Sequence, residues 1–322
     1  MKPAWFAALF LAACGNDGGS SPGIDGPLGA DAAPDGSQPA VQCDPAQGWQ
    51  PLIERSWSLT PGQETYRCKR IQVPADQYIT GYCSKGPMGT HHTVLTISDS
   101  SSPVGDYNCS AGTLDSQMLY AAGLQTDDLL FPTGVAIKLG AQKYINLNLH
   151  LFNLTDQPLS GESGVYIKTV PASEVVHEAD MVFSGTFSID VPPDSAPHDM
   201  IGGCAAPADW HVFGVWPHMH QIATHQKLEV TPIAGGPPLM LLDDAYDFNE
   251  QKNYPMAETL VHQGDQIRTT CSYLNDPVAN PPSRTVRFGD SSTQEMCFTG
   301  MYKWPASTSC PPQGCLFQCA SN

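Results

Sequence analysis

Charge is scarce in this sequence. Only 15% of its 322 residues are charged, and the basic ones are the rarer sign, 15 Lys and Arg against 32 Asp and Glu for a formal charge of −17. A surface so poor in cations argues against nucleic-acid phosphates as partners and suits a protein that faces small neutral or cationic molecules. Long apolar runs are missing as well: Ala4 to Ala13 is too short to cross a bilayer. Helical periodicity is equally thin, with Ser116 to Ala122 the best short helix candidate. What the chain has in quantity is Gly and Pro, 29 of each, the punctuation of short strands joined by many turns.

The N-terminus reads as an address. Met1-Lys2 is followed by the apolar run and then by Leu11-Ala12-Ala13-Cys14, which is similar to a bacterial lipoprotein signal whose Cys is acylated. On this reading residues 1–14 are a signal peptide. Residues 15–42, rich in Gly, Ser, Pro and Asp, are a disordered tether with too little apolar content to fold. Gly15, not Asp, follows Cys14, so the expected destination of the exported, lipid-anchored chain is the bacterial outer membrane. Of eleven cysteines, setting Cys14 aside leaves ten, an even number that in an exported chain predicts disulfides rather than free thiolates.

From Cys43 onward the pattern is that of short strands. Tyr66 to Val73, Gln77 to Cys83, Thr93 to Ser98, Gly134 to Leu139, Tyr144 to Phe152 and Gly164 to Val170 form one set. Met181 to Val191, His211 to Trp216, Gln226 to Thr231, Leu239 to Leu242, Leu260 to Tyr273 and Glu295 to Tyr302 form another. Tyr144 to Leu151 alternates polar and apolar as a half-buried strand should. The expected fold is all-β, with two tandem antiparallel β-sandwiches of jelly-roll type over 43–171 and 172–322.

Four segments carry the residues able to do chemistry: Thr90-His91-His92-Thr93, Asn148-Leu149-His150, Pro217-His218-Met219-His220 and Gln294-Glu295-Met296-Cys297. His218 and His220, at i and i+2 in an extended segment, project from one face and can grip one ion. His91 and His92 are adjacent, which in a regular strand sends them to opposite faces. Both serve one site only where the ladder is interrupted, and Gly86, Pro87 and Gly89 just upstream make room for that. His150 shares its strand parity with Asn146 and Asn148, away from the apolar side. Any one of these segments alone is commonly an ordinary surface or core feature. His211 reads as structural or as a neighbour of the ligands, and His177, His198, His225 and His262 as surface or turn residues. Trp210, Trp216 and Trp304 read as core or pocket wall.

Taken in order, the segments resemble the copper type II, ascorbate-dependent monooxygenases, the family of the peptidylglycine α-hydroxylating and dopamine β-hydroxylating enzymes. The resemblance is carried by Tyr66 to Ser98, by PTGVAIKLGAQKYINLNLH ending at His150, and by Met181 to Pro193. It continues through Cys204 to Val230 with HVFGVWPHMHQIATHQKLEV, and through Cys271 to Tyr302 with EMC at its centre. It implies a copper site of His91, His92 and His150 in the first domain, and a second of His218, His220 and Met296, where O2 binds. A one-electron donor such as ascorbate would reduce both coppers, and the first site would supply the second electron for hydroxylation of a C–H bond. A thioether favours Cu(I), and zinc rarely recruits Met, so Met296 is the discriminating residue. The family pattern also supports Cys68–Cys109, Cys271–Cys297, and Cys204 bridged to one of Cys310, Cys315 and Cys319, leaving Cys43 and Cys83 open.

The resemblance breaks at the substrate. The peptide-amidating relatives hold a carboxylate with an Arg two residues before the HxH pair and with an Asn and a Tyr after the Met-Cys pair. Here those places hold Trp216, Phe298 and Gly300. An anionic peptide end would meet apolar surface instead, so the expected substrate is apolar or aromatic. Two other readings compete: a copper-sequestering lipoprotein without turnover, and a structural or adhesive sandwich whose histidines are incidental.

Overall fold

Tyr144–Phe152 shows how the pattern becomes a fold. Ile145, Leu147, Leu149 and Leu151 are fully buried, each contributing roughly 1.5–3 kcal/mol by leaving water. They meet Ile79, Ile137, Leu139, Val165 and Ile167 of the facing sheet in one apolar cluster. The computed structural model describes residues 42–99, 103–110, 117–123, 126–248, 250–308 and 315–321. Cys14, the tether as far as residue 41 and Cys310 lie outside these.

The first pair of sheets is built in the order Gln50–Leu59, Leu159–Val170, Gln77–Lys85, Val135–Leu139, His177–Glu178, with Leu129–Leu130 also on Gln77–Lys85. Its mate runs Gly105–Asn108, Glu64–Gln72, Tyr144–Phe152, Thr90–Ser98, Gln117–Ala122. The second pair runs Tyr254–Val261, Trp210–His218, Cys297–Trp304, Asp180–Thr186, Cys319–Ser321 on one side. On the other lie Pro197–Ala205, Gln266–Leu274, Ala223–Thr231 and Leu239–Ala245. The pairings inside both sandwiches are antiparallel apart from His177–Glu178 on Val135–Leu139 and Cys319–Ser321 on Asp180–Thr186. Non-consecutive strands lie side by side throughout, and the chain is all-β. It passes from the first pair of sheets to the second at Ala179, eight residues beyond Pro171.

Three expectations need correction. Gln117–Ala122 is a strand, not a helix, pairing antiparallel with Thr90–Ser98. Five of its six residues are buried, so both faces are covered and the alternation that marks a half-exposed strand is missing. Leu260 to Tyr273 is not one strand but the end of Tyr254–Val261 and most of Gln266–Leu274. Gly264, at φ +91°, turns the chain between them from one sheet to the other, a left-handed conformation suited to glycine. Met181 to Val191 likewise divides into Asp180–Thr186 and Asp190–Val191.

The two sandwiches share a core. Met118, Tyr82, Tyr120 and Leu129 from the first belong to the same cluster as Phe183, Phe213, Trp216, Met296, Phe298, Tyr302 and Phe317 from the second. Phe131 meets Phe213 edge-on with ring centroids 5.1 Å apart. The described residues accordingly fall within one compact unit, Val41–Asn322. Disulfides between described residues pin it at Cys43–Cys83, Cys68–Cys109, Cys204–Cys319 and Cys271–Cys297. The first closes the pair left open by the sequence, and the third selects Cys319 as the partner of Cys204. Among the described residues, no helix is long and apolar enough to cross a membrane.

At one crossing in the second sandwich the backbones touch. A Cβ on Gly202 would lie 2.1 Å from the carbonyl oxygen of Gly185, so the two sheets approach as closely as they do only because position 202 has no side chain. Gly202→Ala is expected to lower stability by about 1–3 kcal/mol through overpacking, read as a lower urea midpoint with an unchanged slope.

Candidate metal centre

Strand register assembles the second cluster of ligands. Trp210–His218 runs antiparallel to Cys297–Trp304 with His218 opposite Phe298. Just beyond this ladder His220 bonds Glu295 and Gln294, across a separation of 75 residues in the first case, and His218, His220 and Met296 line one cavity. The His218 and His220 rings stand 5.3 Å apart at 88°. Behind them Cys297 is bridged to Cys271, which fastens the start of the strand that presents Met296.

The first cluster depends on an irregularity. The pairing of Thr90–Ser98 with Tyr144–Phe152 slips between Thr90 and His92, so that His92 lies directly opposite His150 and His91 is the extra residue. This bulge turns two adjacent imidazoles toward one place. Their Nδ1 atoms are 3.2 Å apart, and one ligand atom from each of His91, His92 and His150 lies within 4.8 Å of the others.

Hydrogen bonds decide which ring nitrogens remain for a metal. Glu64 accepts from Nε2 of His150 at 2.6 Å, and Tyr66 stacks on the same ring at 4.5 Å. Nδ1 of His150 is then left buried without a partner, a costly state in a protein interior unless a cation takes the lone pair. In the second cluster Nδ1 of His218 donates to Gln251 Oε1 at 3.3 Å and Nδ1 of His220 to the Gln294 carbonyl at 3.0 Å. Nε2 of each is the nitrogen these bonds leave for a ligand role. Trp216 stacks on His218 at 4.7 Å. Three neutral imidazoles in one set, and two imidazoles with a thioether in the other, fit soft or borderline ions such as copper.

The turn between His218 and His220 is held through its backbone. The Tyr246 hydroxyl donates to the Met219 carbonyl at 2.7 Å and accepts from the Met219 N–H at 3.1 Å. Glu295, almost fully buried, accepts from the N–H groups of His220 and Ile222 at 2.8 and 2.9 Å. Burial pushes the Glu295 carboxyl up to about 8 against the pull of these N–H donors. Burial also holds His218 down at about 3 and His220 at about 4. His92 is driven well below the usual imidazole range, first by burial and then by the neighbouring imidazoles. These rings therefore stay neutral and able to ligate in mildly acidic solution.

His92, His218, His220 and Met296 line a single cavity of about 60 Å³ whose remaining wall is mostly apolar, including Met118, Phe183, Trp216, Phe248, Phe298 and Phe317. Of the three positions singled out for substrate, Trp216 and Phe298 face this cavity. Gly300 does not: it backs onto Met181 and Phe183. His211 stacks on Trp304 at 3.5 Å and pairs with Glu258, His177 stacks on the other face of Trp304, and both stand apart from the cavity. Sequence reasoning missed Glu64, Tyr246, Phe248 and Gln251; their partners are remote in sequence, and no local motif marks them.

Residues 178–321 match the family described as copper type II ascorbate-dependent monooxygenase, C-terminal domain. The match supports copper- and ascorbate-dependent monooxygenase activity in general terms. No curated protein matches the chain. Solved structures similar to it include infectious bursal disease virus of the Gx strain, at 9% identity over 89% of this chain and 77% of that one with a TM-score of 0.20. The VP2 subviral particle of the same virus has 10% identity over 82% and 73% with a TM-score of 0.19. Tomato (Solanum lycopersicum) vicilin has 8% identity over 73% and 77% with a TM-score of 0.12. These likenesses are too slight to bear on fold or function.

Two outcomes follow from the hydrogen bonds and the burial. Glu64→Ala frees His150 to turn, and copper affinity at the His91/His92/His150 set is expected to fall about 10–100-fold, read by chelator competition, with the other set unaffected. In metal-free protein, His218 and His220 titrate far below the ordinary value of about 6.5 they regain on unfolding. The unfolded chain thus binds more protons between these limits. Their contribution to stability is complete above about pH 6.5 and is lost as pH falls toward 4 and then 3. Urea midpoints against pH should show that limb, and the double variant His218→Gln, His220→Gln should flatten it.

Proposed function

We propose that this chain, which carries a copper type II ascorbate-dependent monooxygenase C-terminal domain over residues 178–321, is an exported, lipid-anchored monooxygenase. It hydroxylates a C–H bond of an apolar or aromatic substrate with O2 and a one-electron donor such as ascorbate. The observation that carries this reading is the convergence of His92, His218, His220 and Met296 on one apolar cavity, with His91 and His150 packed against His92. His91, His92 and His150 would hold one copper and His218, His220 and Met296 the other. Bound copper would supply one-electron redox chemistry and the activation of O2.

The protein's own part is orientation and exclusion. Glu64, Gln251 and the Gln294 carbonyl each occupy one nitrogen of a ligand ring and so fix the tautomer and aim of the other. The thioether of Met296 is a weak, soft ligand that favours the reduced ion. Apolar walls keep water from a reactive centre. The cavity lining includes no Lys or Arg to hold an anionic group, and its one carboxylate is Asp290. A carboxylate-ended peptide would find no counter-ion there. Attachment through Cys14 would place the chemistry at the outer membrane, where small apolar molecules arrive from outside.

Met296→Ala is expected to leave the fold and the copper of the His91/His92/His150 set in place and to abolish turnover. Copper stoichiometry and ascorbate-dependent O2 consumption with analysis for a hydroxylated product check this. Loss of both coppers together would overturn the division into two sites. Copper uptake without O2 consumption across a broad panel of apolar and aromatic compounds would favour sequestration over catalysis.

A further inference from the structure

Phe248 occupies an unusual place. It lies on the segment between the strands Leu239–Ala245 and Tyr254–Val261, and its half-buried ring stands between the two histidine sets. Its centroid is 4.8 Å from that of His91 and 6.2 Å from that of His220. The other apolar walls of the cavity, among them Met118, Phe183, Trp216, Phe298 and Phe317, are almost fully buried members of the core shared by both sandwiches. Phe248 belongs to no such cluster. Among the cavity's apolar walls it is the one outside the buried core.

The cavity it helps to line is small: an apolar cavity of about 150 Å³ holds benzene, and this one measures about 60 Å³, less than a six-membered ring needs for full enclosure. The two sandwiches cannot open like a hinge without tearing their common core, so room has to come from a loop. The segment carrying Phe248 is held at its flanks. Tyr246 is tied to Met219. The Gln251 carbonyl accepts from Trp216 Nε1 and from the Gly123 N–H, each at 3.3 Å, and Asn253 donates to the Ala121 carbonyl at 2.9 Å. Gln251 itself sits at φ +31°, a left-handed conformation that a non-glycine residue adopts only under constraint. Between those anchors the ring is free of core packing.

Resting on the monooxygenase reading above, we propose that Phe248 is the specificity-determining residue of this site. Its ring holds the space that the substrate takes, and it turns out to admit one uncharged apolar group of about its own size, a single ring or a short alkyl chain. The group so admitted lies between the two histidine sets, against Trp216 and Met296.

The test uses the metal-free full chain with benzene and naphthalene as probes. Binding is followed by ¹³C-methyl methionine spectra, in which Met118 and Met296 report from the cavity wall. Benzene is expected to shift both signals in the wild-type protein and to bind Phe248→Ala about tenfold more tightly, because no ring contacts have to be given up. Phe248→Leu should fall between the two and Phe248→Trp should bind more weakly than wild type. Naphthalene should enter only the alanine variant. Equal benzene affinity in all four proteins, or no shift of the Met118 and Met296 signals in a folded alanine variant, would overturn the assignment. Copper uptake by the wild type is measured separately. Failure of the wild type to take up copper would count against the monooxygenase reading while leaving the probe result to stand by itself.

Discussion

A buried imidazole serves a metal best when it is neutral, pinned at one nitrogen and bare at the other, and His150, His218 and His220 answer to that requirement. Desolvation supplies neutrality, pressing His218 and His220 down to about 3 and 4. Glu64, Gln251 and the Gln294 carbonyl supply the pinning. The orphaned Nδ1 of His150 is the residue of the arrangement left unpaid by protein atoms. Such an atom is expensive in an apolar interior and becomes an asset once a cation accepts its lone pair.

Backbone geometry meets the same requirement by two different devices. In the second sandwich, ordinary antiparallel register brings His218 opposite Phe298, and hydrogen bonds to Gln294 and Glu295 hold His220 on the cavity that Met296 also lines. In the first, regular register would fail, because adjacent side chains on a strand diverge. The bulge between Thr90 and His92 gives up a ladder position to converge two rings. The two devices differ in how legible they are. The need for a bulge followed from the His91-His92 pair itself, with Gly86, Pro87 and Gly89 nearby. The meeting of Met296 with His220 follows from strand order, which nothing local in the sequence states; only the family resemblance pointed to it.

The same distinction explains the rest of what was legible. Tyr144–Phe152 was read to its ends because one face is apolar and the other polar. Gln117–Ala122 was misread because both its faces are covered, which erases the alternation. The edge strands Gln50–Leu59 and Gly105–Asn108 went unread, the first interrupted by Pro51 and the second only four residues long. Glu64 and Tyr246 went unread for another reason. A carboxylate or a phenol on a strand is ordinary until the fold places it against a ring nitrogen or a turn 86 or 27 residues away.

Trp216 links the metal geometry to the choice of substrate. At position 216 this chain has an indole that stacks on His218 and donates to the backbone of Gln251. Gln251 in turn accepts from His218. Trp216 is therefore a wall that also orients the His218 ring and anchors the segment carrying Phe248. Trp216→Arg would change more than charge: the ring at position 218 would lose its stacking partner, and the Gln251 anchor would lose its indole donor. The apolar cavity wall and the aim of the His218 ring are thus coupled through one side chain, so the apolar character of this site is built into the support of the candidate metal centre.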